Sequence, residues 1–128
     1  MKYLFFAFLL LTISCKPDKK EGGGKGGSAT LVIYPQHHTV AKNIINGKVF
    51  IRYYTLDAPT SGVYDDSATC TNHDSLLSGT IINLKNGNYY LFATGFDTSV
   101  NQYVKGGVPY TISAQSTTLN TTLPVSED

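Results

Sequence analysis

Apolar and polar residues alternate along most of the chain after residue 29, which is the pattern of half-buried β-strands. In residues 48–54, Val49, Ile51 and Tyr53 share one face, whereas Lys48 and Arg52 fall on the other. No stretch has a convincing helical period. The predicted strands are residues 30–34, 48–54, 68–71, 79–84, 88–96, 108–113 and 118–125, with a shorter one at 102–105. Turn signals separate them at Asn46-Gly47, Ala58-Pro59, Asn86-Gly87 and Gly106-Gly107.

The same alternation predicts the core and the fold class. In residues 88–96 the inward face carries Tyr89, Leu91, Ala93 and Gly95. The other predicted inward residues are Leu31, Ile33, Ile82, Leu84, Val108, Tyr110, Ile112, Leu119, Thr121, Leu123 and Val125. About seven short strands in about a hundred residues predict an all-β domain, an antiparallel Greek-key sandwich of about seven strands over residues 29–128.

The first fifteen residues have the pattern of a targeting segment. Met1 and Lys2 precede an apolar run over residues 3–13, which is shorter than the roughly 20 residues that cross a bilayer. The run ends at Ser14-Cys15, and residues 11–15 resemble the lipobox of bacterial lipoproteins, although Thr12 stands where leucine is usual. The resemblance implies a signal peptide at 1–14 and lipidation of Cys15. The alternative is an ordinary signal peptide with an incidental cysteine.

Residues 15–28 are predicted to be the lipidated cysteine followed by a flexible Gly/Lys-rich tether, because the segment lacks large apolar residues. A phosphate-binding loop is disfavoured, since no strand precedes the glycines and no GK[ST] follows them. Lys16, rather than aspartate, follows the cysteine, which resembles outer-membrane sorting of lipoproteins. The expected location is therefore the outer membrane or the cell surface, with the membrane contacted through the N-terminal lipid.

Composition and charge narrow the function classes. The 128 residues leave room for one domain, and 41% hydrophobic content excludes a wholly disordered chain. Ten basic and nine acidic residues give a net charge of +1, so we expect no nucleic-acid partner. Two cysteines are too few for a disulfide framework or a four-thiolate metal site.

Residues 79–96 carry a family resemblance. From Leu84 through Gly87, Tyr89 and Leu91 to Phe96, the chain is similar to the L-x-x-G-x-Y-x-L-x-A-x-G-[YF] pattern of carboxypeptidase-regulatory-like and transthyretin-like domains, which are immunoglobulin-like sandwiches. Gly87 permits a tight turn, and Tyr89 can bury its ring while its hydroxyl returns to the backbone, as in a tyrosine corner. The ends of the domain resemble those of small Bacteroidetes lipoproteins. The resemblance implies an accessory, non-catalytic domain.

Metal-type ligands occur in two places, at His37-His38 and at Asp65-Asp66 with His73-Asp74. Adjacent strand residues point to opposite faces, so His37 and His38 are not expected to chelate together. The weak candidates are His38, His73 and Asp74, and exposed loop polarity is the favoured interpretation of all of them. No metal or other cofactor is predicted.

No catalytic set stands out, because the chain has no G-x-S-x-G elbow and no recognisable carboxylate pair. Cys70 is left unpaired once Cys15 is lipidated. It is interpreted as a small buried hydrophobe, and a reactive thiol is the alternative.

An aromatic surface is the strongest candidate for a binding site. If the predicted core faces inward, then Phe50, Tyr54, Tyr90 and Phe92 face outward beside Arg52. Exposed aromatic patches mark sites that bind other molecules. The alternative is that the loop over residues 57–67 covers them.

These observations predict a lipid-anchored, non-catalytic accessory or binding protein of the cell envelope, engaging a protein or carbohydrate partner. A periplasmic carrier of a small ligand or metal is the first alternative. A hydrolase is the second, and the lack of a catalytic set disfavours it.

Overall fold

The computed structural model describes residues 22–40, 43–73, 76–114 and 116–127. The predicted signal peptide and Cys15 lie outside these residues. Within these residues all regular secondary structure is β-strand. The strands are β1 (Lys25–His37), β2 (Ile44–Tyr53), β3 (Asp66–Thr69), β4 (Thr71–His73), β5 (Leu76–Leu84), β6 (Gly87–Asp97), β7 (Gln102–Ile112) and β8 (Thr118–Val125).

The strands form two four-stranded sheets, with orders β4-β5-β1-β8 and β3-β2-β6-β7. The predicted all-β sandwich is confirmed, with eight strands rather than about seven. One pair departs from the antiparallel prediction, because β1 runs parallel to β8 from Thr30↔Thr118 to His37↔Val125. A parallel pair needs a long crossover, and here the whole intervening domain supplies it. β1 and β2 lie in different sheets, unlike the first two strands of an immunoglobulin constant domain.

Two predicted turns lie inside strands. Gly106 and Gly107 are in the middle of β7, where a Cβ would stand 2.2 Å from the Pro124 carbonyl oxygen and 2.3 Å from the Tyr90 hydroxyl, respectively. These glycines serve close approach rather than chain reversal. Asn46-Gly47 forms an irregularity within β2, with Asn46 at φ 53° and a register shift against β6.

The predicted strand at 68–71 is two strands in different sheets. β3 ends at Thr69 beside β2, and β4 begins at Thr71 beside β5. Cys70 lies at the crossing, and its N–H donates to the carbonyl of Gly47 at 2.8 Å. The alternation of apolar and polar residues is the same whichever sheet a strand joins, so it does not predict the break between β3 and β4.

β1 begins at Lys25, inside the segment predicted as tether. The Lys25 ammonium donates to the carbonyl of Ile82 at 2.6 Å and lies 2.9 Å from Asp66 Oδ2. Gly24 accepts a hydrogen bond from the backbone N–H of Lys85 at 2.9 Å. The folded domain therefore begins before residue 29.

The core lies between the sheets and follows the predicted alternation in β1, β2, β6 and β8. β5 is the exception. Ile82, a predicted core residue, is 51% exposed, whereas Ile81 is 2% exposed. Asn83 adopts φ 61°, which interrupts the alternation and places two outward residues between Ile81 and Leu84. The described residues contain no helix with the length and apolar character to cross a membrane.

Tyr89 confirms the predicted tyrosine corner. Its ring is fully buried, and its hydroxyl donates to the carbonyl of Lys85 at 2.6 Å, with the carbonyl of Gly24 at 3.2 Å. Burial raises the pKa of this hydroxyl to about 12. Gly87 stands at φ 144°, and a Cβ there would lie 1.9 Å from the backbone carbon of Gly22, so both conformation and space require glycine.

Candidate functional site: an aromatic sheet face and a buried histidine

The outer face of the β3-β2-β6-β7 sheet carries the predicted aromatic residues. Phe50 is paired with Phe92, and Arg52 with Tyr90, across the β2–β6 ladder. The Phe50 and Phe92 ring centroids are 6.0 Å apart. All four side chains are half-buried, so they form an outward-facing cluster rather than part of the central core.

The loop before β3 covers part of this cluster. Tyr64 stacks on Phe92 at 5.5 Å with 13° between the rings, and it lies 5.5 Å from Phe50. Burial raises the pKa of the Tyr64 hydroxyl, and Tyr90 raises it further. The sequence left two possibilities for these aromatic residues, an exposed patch or coverage by the 57–67 loop. The loop covers Phe50 and Phe92 in part, through Tyr64.

Arg52 holds this loop in place. Its Nη1 donates to the carbonyl of Val63 at 3.3 Å and lies 3.7 Å from Asp65 Oδ1. Asp65 also accepts the backbone N–H of Tyr53 at 2.7 Å. Because the Arg52–Asp65 pair is partly exposed, it positions the loop but adds little stability.

Tyr54 is placed apart from the cluster. It follows the end of β2 with φ 64°, and it is 71% exposed. Its ring meets Tyr53 edge-on at 6.2 Å, and its hydroxyl would lie 2.8 Å from a Cβ at Gly24. The left-handed backbone turns Tyr54 away from the face that alternation predicted.

A second aromatic pair extends the same outer face. Phe96 and Tyr103 are paired across β6–β7, and their rings meet edge-on at 5.1 Å. Tyr103 is 81% exposed, the largest exposed fraction among the large hydrophobic residues of the described chain. We call this set the aromatic face, which comprises Phe50, Tyr64, Tyr90, Phe92, Phe96 and Tyr103. Tyr103 was not predicted as a site residue, because it lies in the short predicted strand at 102–105, before an expected Gly-Gly turn.

A buried polar cluster lies at the end of β1. His37 is 2% exposed and Asp97 is 3% exposed. The Nδ1 atom of His37 lies 2.6 Å from Oδ2 of Asp97. The other ring nitrogen, Nε2, contacts the carboxylate of Glu127. The register explains the meeting, because β1 and β6 both end here and the β1–β8 pairing stops at Val125, two residues before Glu127.

Asp97 is fixed by the turn that follows it. Its Oδ1 accepts the backbone N–H of Ser99 at 2.8 Å and the Ser99 hydroxyl at 2.5 Å. The N–H of Thr98 donates to the carbonyl of Asn43 at 2.9 Å and holds the turn to the chain before β2. The Asp97 carboxylate therefore has one oxygen bound by Ser99 and the other directed at His37.

These contacts shift the pKa values of all three ionisable side chains in the cluster. The Ser99 hydroxyl, together with His37, lowers the pKa of Asp97 to about 2, although burial opposes the shift. The hydrogen bond to Asp97 raises the pKa of His37 against the effect of burial, and Glu127 raises it further. The Glu127 pKa is lowered by a backbone hydrogen bond and by His37.

His38, a candidate metal ligand from the sequence, lies beside this cluster. It is exposed, and its ring centroid is 4.0 Å from that of His37. The prediction that His37 and His38 point apart is wrong, because β1 ends at His37 and the chain turns. His38 and Thr39 adopt φ 49° and 65°, and the turn is closed by hydrogen bonds between His37 and Val40.

The remaining candidates are placed elsewhere. His73 is exposed on β4, and Asp74 lies outside the described residues. Asp66 pairs with Lys25, and Asp65 holds the loop beside Arg52. Among the described residues, the group able to hold a metal comprises His37, His38 and Glu127.

Cys70 is buried between the sheets, close to Gly47 and Gly79. Burial raises the pKa of its thiol to about 11. Of the two interpretations left open by the sequence, the small buried hydrophobe is the one that the structure supports.

Comparison with known proteins finds no matching family model, no similar curated protein and no similar solved structure. The resemblance of residues 79–96 to carboxypeptidase-regulatory-like domains therefore stays a prediction.

Proposed function

We propose that the chain is a lipid-anchored accessory protein of the bacterial outer membrane or cell surface, which binds a protein partner and catalyses no reaction. The anchor is supported by the apolar run at 3–13 and the lipobox-like residues that end at Cys15. Several acyl chains on that cysteine would give stable membrane attachment, since each buried CH₂ contributes about 0.8 kcal/mol. The resemblance to small envelope lipoproteins supports the same role.

The exposure of Tyr103 is the observation that carries the binding role. A tyrosine 81% exposed, edge-on to Phe96, extends an aromatic cluster along the outer face of one sheet. Tyr and Phe are enriched in protein interfaces, because each brings a large apolar area at low cost in side-chain entropy. The aromatic face therefore has the composition of the centre of an interface.

A protein partner fits this face better than a sugar does. A sugar ring needs an open aromatic face on which to stack. Tyr64 covers one face of Phe92 at 13°, so the open ring of the aromatic face is that of Tyr103, which is 81% exposed. The Lys48 ammonium lies over the Phe50 ring, 5.3 Å from its centroid. The interlocked rings offer apolar area with a charged edge, which is the arrangement of a protein interface with a polar rim.

Site-specific photo-crosslinking in growing bacteria tests this proposal. A benzophenone amino acid replaces Tyr103 in the full chain, and a matched variant carries it at Ile82, which is 51% exposed on β5 of the other sheet. The proposal predicts a crosslinked species of defined mass from position 103, absent from position 82, in which mass spectrometry finds peptides of a second protein.

Three outcomes contradict the proposal. One is no adduct at position 103, and another is equal adducts from both positions. The third is an adduct at 103 that contains no peptide of a second protein and is removed by a glycan-cleaving enzyme, which would make the partner a carbohydrate.

A further inference from the structure

We propose that His37, His38 and Glu127 form a binding site for a divalent transition-metal cation, zinc in particular, where β1 ends. This inference is independent of the proposed partner binding, because the site lies at the strand ends and shares no residue with the aromatic face. The side-chain ligand atoms of the three residues all lie within 4.8 Å of one another. Nothing in the proposed accessory role requires such a cluster.

The backbone brings the two histidines together. β1 ends at His37, and the tight turn at His38 and Thr39 directs the second imidazole back towards the first. Two ligands bound to one tetrahedral zinc ion at about 2.0–2.2 Å lie about 3.3–3.6 Å apart. The His38 side chain is exposed, so it can rotate to bring a ring nitrogen to this spacing.

Asp97 prepares His37 for such a role. Metal-binding histidines typically donate the second ring N–H to a carboxylate, which fixes the tautomer and the ring orientation. Here Nδ1 faces Asp97 Oδ2 at 2.6 Å, so Nε2 is directed at Glu127 and the proposed metal position. Ser99 holds Asp97 in turn through two hydrogen bonds to Oδ1. Asp97 is thus a positioning residue.

Burial divides the cluster into a rigid and an accessible part. His37 and Asp97 are almost wholly buried, so their geometry is fixed by packing before any ion arrives. His38 and Glu127 are exposed, so an ion can enter from solvent. The Glu127 side chain, 40% exposed, can retreat to admit the ion between its carboxylate and the His37 ring.

The donor set selects the class of ion. Two imidazole nitrogens and one carboxylate oxygen are a zinc set, and they leave a fourth position for water. Calcium and magnesium prefer oxygen ligands alone, so they should compete poorly.

The test is calorimetric titration of the full chain with zinc chloride, after chelator treatment, in detergent and without a polyhistidine tag. The site predicts one zinc per chain, little competition from magnesium, and a rise in melting temperature with zinc. His38→Asn and Glu127→Gln should each weaken binding at least tenfold. Asparagine tolerates the left-handed backbone at position 38, and both residues are exposed, so these variants should fold. Cobalt should give the visible absorption of a site containing nitrogen ligands.

Two further variants sharpen the result. Asp97→Asn should lower the affinity about 10–100-fold while the stoichiometry stays at one, as expected for a residue that orients a ligand. His73→Asn on β4 removes a different exposed histidine and should leave binding unchanged. The proposal is overturned if the parent chain takes up no zinc, if His38→Asn and Glu127→Gln bind as tightly as the parent, or if His73→Asn loses binding equally.

Discussion

The hydroxyl of Tyr89 donates to the carbonyl of Lys85, four residues earlier, at 2.6 Å, and the carbonyl of Gly24 lies 3.2 Å from the same oxygen. This single side chain joins the turn before β6 to the segment that leads into β1. The ring itself is fully buried and meets Tyr53 edge-on at 6.0 Å. The corner thus ties the start of the folded domain to the core.

Tyr89→Phe should destabilise the domain without changing its fold. The ring still fills its place, but the carbonyl of Lys85 loses its donor in a partly buried setting. An unsatisfied buried acceptor costs about 1–3 kcal/mol. Urea unfolding measured by far-ultraviolet circular dichroism should show a lower midpoint with an unchanged slope.

The matched control is Tyr110→Phe. Tyr110 is paired with Tyr89 across β6–β7 and is partly buried against the core. Its hydroxyl forms no hydrogen bond within the described part of the chain. The midpoint should therefore change little. Equal losses in the two variants would contradict the corner's role.

Gly79→Ala should destabilise the sandwich because the sheets approach closely at this point. A Cβ at position 79 would stand 2.4 Å from Val49 Cγ2 and 3.3 Å from Cys70 Sγ. Val49 is fully buried on β2 and has little room to move. Overpacking of this kind costs about 1–3 kcal/mol, which thermal or urea unfolding would measure.

The clash has a specific rescue. Val49→Ala removes the methyl groups that the new Cβ would meet, so the double variant should lose less stability than the sum of the single losses. A double-mutant cycle on unfolding free energies measures this coupling. Strict additivity would show that Gly79 matters for another reason.

Cys70 should be inert to thiol reagents in the folded protein. Its pKa of about 11 leaves about one thiolate in a thousand at pH 8, and burial blocks access as well. In urea the full chain should titrate as one thiol, because the proposed lipidation of Cys15 would consume the other. Rapid reaction before denaturant is added would contradict the burial. Two thiols in urea would contradict the acylation.

Asp65→Ala should release the 57–67 loop while leaving the sandwich folded. The variant loses the hydrogen bond to the Tyr53 N–H and the contact with Arg52. Because such exposed pairs are worth about 1 kcal/mol or less, unfolding should change little. Limited proteolysis of the loop should become faster.

The control for that experiment is Asp57→Ala in the same loop. Among the described contacts, Asp57 contributes its backbone N–H to Thr55, not its side chain. Cleavage of this variant should match the parent. Equal acceleration in both variants would mean that Asp65 does not hold the loop.

Alternation along the chain was enough to predict the sandwich and most of its core. It worked where strands are regular, as in β6, in which Tyr89, Leu91 and Ala93 are all fully buried. It failed in β5, where the positive φ of Asn83 leaves Leu84 inward as predicted but places Ile81, rather than Ile82, on the inward face. It also failed at Gly106 and Gly107, because the sequence does not distinguish a glycine required for close packing within a strand from a glycine required for a turn.

The buried cluster was beyond prediction from the sequence for a different reason. Asp97 and Glu127 lie 60 and 90 positions from His37, and only the register of β1, β6 and β8 brings them together. The parallel β1–β8 pair leaves no local mark in either strand. The aromatic face was easier, because Phe50 and Phe92 follow directly from the two-residue period of β2 and β6.

Cysteine protection in isolated envelopes tests the central claim most directly. Lys48→Cys, at the edge of the aromatic face, and Ile82→Cys each add one exposed thiol on opposite sheets while every aromatic side chain stays in place, against a background in which Cys70 is buried. In purified protein both new thiols should react with a maleimide at similar rates. In envelopes containing the natural partner, reaction at position 48 should slow at least tenfold while position 82 is unchanged. Equal reaction at both positions in the envelope would contradict a partner on the aromatic face.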